Sequence, residues 1–160
     1  MVDQIANPSI NEKVNYPFTA FNFAVEIKVE GMDTNICDAS FAECDGLEMT
    51  MDVKTIREGG NNGIQVRFTG PVNYGTLTLK RGMTETFDLW KWAELMQTKP
   101  ETRADAQVVI FSPDKKEVKA IFLMTRCLLQ KLKVPALSAK DGGVAIEELQ
   151  LAYESLQLQP

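Results

Sequence analysis

Hydrophobic and polar residues alternate from residue 21 onward, with Phe21, Phe23, Val25, Ile27 and Val29 separated by Asn22, Ala24, Glu26 and Lys28. A period of two sends successive side chains to opposite faces and predicts a strand over 21–29 with one buried face. Gly31, Asp33 and Asn35 predict a turn, and residues 39–44 a second strand. Leu47, Met49, Met51 and Val53 alternate with Glu48, Thr50, Asp52 and Lys54, predicting a third strand over 47–56. Ile64, Val66 and Phe68 repeat the pattern, Gly70-Pro71 marks the end of that strand, and 76–80 restarts it with Leu77 and Leu79 inward.

One stretch has the helical period. Over 84–98, Thr84 is the expected N-cap, Glu85 lies in the first turn and Lys99 follows the last. At about 100° per residue, Leu89, Ala93 and Met96 centre an apolar stripe flanked by Trp90 and Trp92, with Lys91 and Glu94 facing away. Pro100 ends it. Residues 106–111 predict a strand, Ser112-Pro113-Asp114-Lys115 a turn, and 117–132 a long returning strand. After a loop over 134–143, a final strand is expected over 144–158. The pattern therefore predicts one mainly β, antiparallel domain with a single helix over 18–160, preceded by an extended arm over 1–17 that is rich in asparagine and closes with Pro17.

Composition adds exclusions. At 160 residues, 44% apolar and 24% charged, the chain has the make-up of one ordinary soluble domain. A domain of this length buries roughly 70% of its unfolded surface and needs no disulfide or structural metal. The net charge of -5 disfavours a nucleic-acid binder working through a basic face. The absence of histidine removes the Ser-His-Asp triad, the Cys-His pair and His-ligated metals. Cys37, Cys44 and Cys127 are an odd set at spacings that suit no zinc site, so they are expected as small, mostly buried side chains and no cofactor or metal is implied. The first ten residues lack a secretory pattern, and the longest apolar run, 120–124, is too short to span a bilayer, so synthesis in the cytoplasm without membrane insertion is expected.

Three candidate sites have bland readings beside the chemical one. The loop Arg57-Glu58-Gly59-Gly60-Asn61-Asn62-Gly63 could cradle an anion, but Ile64, Gln65 and a strand follow it where a P-loop needs Lys-Ser or Lys-Thr and a helix. An interaction hairpin is the better expectation. Glu147 and Glu148 are neighbours on a strand and point to opposite faces, so they cannot address one substrate together and are expected as solvated or interface-lining charges. Trp90 and Trp92 read as core or interface anchors, with the alternative of a monomeric β-barrel that binds a carbohydrate or small ligand through them. No convergent catalytic set exists, so no enzyme is expected. The strands 117–132 and 144–158 are about three times the usual five or six residues, and such edges favour pairing between subunits.

Four segments carry a resemblance. Cys44-Asp45-Gly46-Leu47-Glu48, Ile56-Arg57-Glu58-Gly59-Gly60-Asn61, Tyr74-Gly75-Thr76-Leu77-Thr78-Leu79-Lys80-Arg81-Gly82 and Leu89-Trp90-Lys91-Trp92 resemble, in that order, the myophage tail tube family. The likeness runs over about 21–158 and is most specific over 44–92. It implies a β-barrel or sandwich with one helix that assembles into hexameric rings stacked as the inner tube, or as the tube-initiating ring, of a phage-tail-like contractile injection system. The implied partners are other copies of the chain, sheath, spike-hub and baseplate proteins, and cargo in the lumen, with no specific nucleic acid. The implied particle is assembled after synthesis and in some systems released from the cell. The loop 57–63 would lie on a hairpin between rings. Lys119, Thr125 and Lys131 on one long strand, and Glu148, Gln150 and Glu154 on the other, are the candidate lumen-facing residues. The arm 1–17 and the loop 132–143 depart from the family pattern.

Overall fold

A computed structural model describes residues 17–33, 35, 41–60 and 63–160. Nine strands and one helix follow in the order β1 (Phe23–Val29), β2 (Glu43–Asp45), β3 (Met49–Arg57), β4 (Gln65–Tyr74), β5 (Thr76–Gly82), α1 (Asp88–Thr98), β6 (Ala104–Phe111), β7 (Val118–Lys133), β8 (Ile146–Ala152) and β9 (Ser155–Gln159). Every strand pair is antiparallel. The arm 1–16 and Cys37 lie outside the described residues.

β7 belongs to two sheets. Its first half pairs with β6 on one side and β9 on the other, giving the layer β1-β6-β7-β9; its second half pairs with β8, giving the layer β7-β8-β5-β2. Val25, Ile27 and Val29 of β1 and Ala104, Ala106 and Val108 of β6 meet Leu77, Leu79, Leu149 and Leu151 of β5 and β8 in one core, with Leu89 and Trp92 of α1 packed into it. The inward positions are those the alternation marks, and burying such side chains is the main favourable term in folding.

Three boundaries differ from the sequence expectation. β4 runs through Gly70-Pro71 to Tyr74, because Met51 opposes Val72 while Val53 opposes Thr69: a bulge on β4 takes up the extra residue, and a bulge tolerates proline. The helix starts at Asp88, not near Thr84; Thr84 and Thr86 bond each other through their hydroxyls, and Phe87 stands in the left-handed region at φ 48°. The expected strand 144–158 begins at Ile146 and breaks at Tyr153 and Glu154, so that β8 serves one layer and β9 the other.

The charges hold a further correction. Glu147 is not a solvated or interface charge: it is 3% exposed, and its Oε1 accepts from Nε of Arg81, itself 2% exposed, at 2.6 Å. A second arm of the guanidinium bonds Asp88, and the same Asp88 carboxylate accepts the Leu89 N–H at 2.9 Å. The Phe41 ring lies 5.7 Å from the guanidinium. One cation thus ties β5, β8 and the start of α1 together. We expect Glu147→Ala to destabilise the fold by up to about 3–5 kcal/mol, since it removes the most buried carboxylate of an ion network that stays in place around Arg81. The apolar pair Arg81→Met/Glu147→Leu should recover most of that loss, as measured by urea unfolding.

Both described thiols are held protonated. Burial, with Asp45 adding to it, pushes Cys44 up to about 11 from 9.0; burial, with Asp105 adding, pushes Cys127 up to about 12. The unfolded chain releases these protons above about pH 9 while the folded one keeps them, so stability is full below that pH and falls as pH rises toward 11 to 12. The slope reaches about 1.4 kcal/mol per pH unit for each thiol. Urea midpoints measured from pH 8 to 11 should fall less steeply in Cys127→Ala than in the parent chain.

Candidate functional site

β3 and β4 form a two-stranded sheet that pairs with no other strand among the described residues. All nine residues of β3 are exposed. Large apolar side chains among them stand in water: Met49, Met51, Val53 and Ile56 on β3, Phe68 and Val72 on β4, and Ile64 just before β4. Register sorts them. Met49, Met51 and Val53 share a face with Val72 near the root, whereas Ile56, Val66 and Phe68 lie on the opposite face toward the tip. The bulge at Gly70-Pro71 keeps both faces in register across the extra residue. A Cβ at Gly70 would come within 2.8 Å of the Asp52 carbonyl oxygen, so a side chain there would push the strands apart.

The loop 57–63 caps this arm. Arg57, Glu58, Gly59, Gly60 and Gly63 are exposed, Gly60 takes φ +106°, and a Cβ on Gly59, Gly60 or Gly63 would meet nothing within 4 Å among the described residues. Asn61 and Asn62 lie outside the described residues. The four basic and acidic side chains of the two strands, Lys54, Arg57 and Arg67 against Asp52, leave the arm cationic on a chain of net charge -5.

The root is fixed where the arm leaves the body. The Tyr153 hydroxyl donates to the Gly46 carbonyl at 2.7 Å and accepts the Glu48 N–H at 3.1 Å. Tyr74 packs against Tyr153, ring centroids 5.6 Å apart. Gly46 has φ +98°, and a Cβ there would sit 1.9 Å from the Thr76 oxygen, which only glycine avoids.

A second surface is the outward face of β7-β8-β5-β2. Leu77 and Leu79 point inward, so Thr76, Thr78 and Lys80 point out; Gln150 and Glu148 do so on β8, and Lys131 and Lys133 on β7. Of the candidate lumen residues, Lys131, Glu148 and Gln150 come together here. Lys119 and Thr125 lie instead on the β6-β7-β9 layer, where Lys119 pairs with Glu117 and Thr125 bonds Ser155. Glu154 stands at the break between β8 and β9 and binds Arg126 at 2.6 Å. Lys80 is held protonated above the ordinary lysine range, first by its hydrogen bond to Glu43 and further by the charges of Glu43 and Glu148.

The tryptophans do not form a ligand platform. Trp92 is 0% exposed in the core, and the indole N–H groups of both Trp90 and Trp92 are buried with no hydrogen-bond partner among the described residues. The helix thus turns Leu89 and Trp92 inward, with Leu95 and Met96 packed beside them, rather than centring on Ala93.

Tyr153→Phe should keep the fold, lose about 1 kcal/mol for the anchoring hydrogen bond, and speed amide exchange at the hairpin root around Glu48. Exchange confined to its parental rate there would show that the hydroxyl does not hold the arm.

The T4-like virus tail tube protein gp19 family matches residues 19–157. No curated protein sequence matches the chain. Among solved structures, a chain of the six-fold symmetrised anti-feeding prophage baseplate is 21% identical, with 91% of this chain and 97% of that one covered at a TM-score of 0.80. A chain of the PVC sheath-tube complex of an extracellular contractile injection system, in its extended state, is 20% identical with coverage of 91% and 93% at 0.77. A chain of the anti-feeding prophage tube-terminating cap is 20% identical with coverage of 97% and 99% at 0.76. The likeness to these structures is one of fold, while the family match spans nearly the whole domain: the chain belongs to the T4-like tail tube protein family.

Proposed function

We propose that this chain is a structural subunit of the inner tube of a phage-tail-like contractile injection system, forming hexameric rings that stack around a channel. The observation that carries this is the β3-β4 arm. Its alternation is that of a half-buried hairpin, yet nothing among the described residues covers either face. Exposed apolar side chains in such a run mark a protein interface. The apolar residues lie on one face at the root and on the other at the tip, so an arm reaching between rings is gripped from both sides, by different surfaces.

The wall of the channel is the outward face of β7-β8-β5-β2. Thr76, Thr78, Lys80, Lys131, Lys133, Glu148 and Gln150 give it a polar lining of mixed sign, with little surface for a sliding cargo to adhere to. The other layer, with Ile121 and Leu123 of β7 on its outer side, faces the surrounding sheath. A subunit of this kind works by geometry and carries no reaction. In a tube-initiating ring, the same arm would seat on the spike hub or a baseplate protein.

Replacing Met51, Val53, Ile56 and Phe68 together by serine tests the reading. All four are exposed in the subunit, so its stability should change by no more than about 0.5 kcal/mol per site. Tube growth seen by electron microscopy should stop while single rings persist. Tubes of parental length from this variant would remove the arm from the stacking interface.

A further inference from the structure

Three backbone segments converge where the arm leaves the body: 45–48 leading into β3, 74–76 leading out of β4, and 152–154 between β8 and β9. Tyr153, 6% exposed, sets its hydroxyl among them. The hydroxyl donates to the Gly46 carbonyl and accepts the Glu48 N–H, while the Gly75 N–H bonds the Glu48 carbonyl at 3.2 Å. Burial pushes this hydroxyl above the ordinary tyrosine range, and the backbone of Glu48 and of Gly75 acts against that push, so the incoming and the outgoing chain both reach one oxygen. Steric fit closes the joint. The Gly46 backbone lies against the Thr76 peptide, and the Glu48 side chain lies across Gly75, where a Cβ would come within 2.4 Å of Glu48 Cγ.

Tyr153 is itself held from both sides. Ala152 pairs with Thr76 and with Leu128. Glu154 donates its N–H to the Thr125 carbonyl at 3.2 Å and binds Arg126 at 2.6 Å, where β7 passes between the layers. The hydroxyl thus ties the arm to the junction of the two sheets.

We infer that Tyr153 is the positioning residue of the arm: its hydroxyl sets the angle at which β3-β4 leaves the body, and so which part of the next ring the apolar tip reaches. This rests on the stacking reading above and adds what aims the arm. Leverage is the first argument. Beyond the root, β3 and β4 pair only with each other among the described residues, so no further strand pairing corrects the angle. The nine residues of β3, at about 3.3 Å each, make a lever of about 30 Å, and a swing of about 10° at the root carries its tip about 5 Å, roughly one strand spacing. Ile56, Val66 and Phe68 would then meet the wrong surface. The second argument is direction. Apolar burial is nearly indifferent to orientation, and the rings of Tyr74 and Tyr153, tilted at 50°, tolerate small rotations. Two hydrogen bonds to backbone atoms two residues apart do not, because they weaken steeply as they bend.

Tyr153→Phe keeps the ring packing and removes both bonds. Spin labels on Thr55→Cys in the arm and Lys99→Cys after α1, both exposed positions, report the arm angle by pulsed electron paramagnetic resonance in a Cys37→Ser chain. The protonated thiols of Cys44 and Cys127 stay unlabelled. The parental arm should give one narrow distance distribution, and Tyr153→Phe should broaden it about twofold or more at parental circular dichroism. Gly75→Ala, which keeps the hydroxyl but displaces Glu48, should instead move the mean distance and leave the width. Rings of Tyr153→Phe should form at the parental concentration, while tube elongation seen by electron microscopy should slow about tenfold. Ile27→Val, a trim of the buried core, should lower stability yet leave width, mean and elongation parental, which separates aiming from lost stability. A parental width in Tyr153→Phe, or parental elongation despite a broadened one, would overturn the role of the hydroxyl. A parental chain that makes rings but no tubes would overturn the stacking reading, and the label distances would still decide whether the hydroxyl sets the angle.

Discussion

A single strand, β7, has to serve two layers, and the rest of the architecture follows from how it manages this. A strand that passes from one sheet to the other must keep its apolar side chains on the core while its hydrogen-bond partners change. Phe122 and Met124 face inward, then Cys127 and Leu129, then Leu132, so the inward positions switch from even to odd and back. The switches are bulges. One falls at Thr125 and Arg126, opposite Asp105, with Arg126 in the left-handed region and its N–H bonded to the Asp105 carboxylate at 3.3 Å; the other falls at Gln130. Bulges bend a strand and raise its twist, which is what turning a corner between layers requires. The same corner splits the last segment of the chain into β8 and β9 and leaves the far edge of β7 over 128–133 unpaired among the described residues.

Much of this is legible in the sequence, and the failures have specific causes. The alternation at Phe23–Val29 and around Leu77 and Leu79 marks strands whose inward faces the structure buries, because a partner layer lies in the same chain. The same signal at Met49, Met51 and Val53 also marks a strand correctly. What it cannot say is where the partner is. Binary pattern records that a face is to be buried, not by which molecule, and here it leaves those side chains in water. The six candidate lumen residues divide for a related reason: counting by twos along a strand places Lys119, Thr125 and Lys131 together only if the strand stays in one layer.

Glu147 and Glu148, as adjacent acids, mask the buried ion network, which parity along their strand exposes. Glu147 precedes Leu149 and Leu151 at inward spacing, and Arg81 follows Leu77 and Leu79 at the same spacing. Two opposite charges at inward positions of paired strands are the signal that finds this contact. The shifted helix start has the same origin. Asp88 is fixed by the guanidinium at the first helical position, where its carboxylate accepts the Leu89 N–H, and a tertiary contact of that strength outweighs the local preference of Thr84.

Under the proposed ring and stacking reading, two kinds of surface divide the work of assembly by their chemistry. Contacts within a ring that use polar and charged groups are directional: they reject a wrong register or a reversed neighbour more strongly than they add affinity. The arm would rest on apolar burial, which is nearly indifferent to orientation but large once water is displaced. Order then follows from physics. Nothing among the described residues of a lone subunit covers both faces of its arm, whereas a closed ring presents six arms at once, and several weak apolar contacts made together hold far more firmly than one. A closed ring thus becomes the unit that apolar burial can stack, and the arm's exposure in the single chain becomes the condition for growth in one dimension.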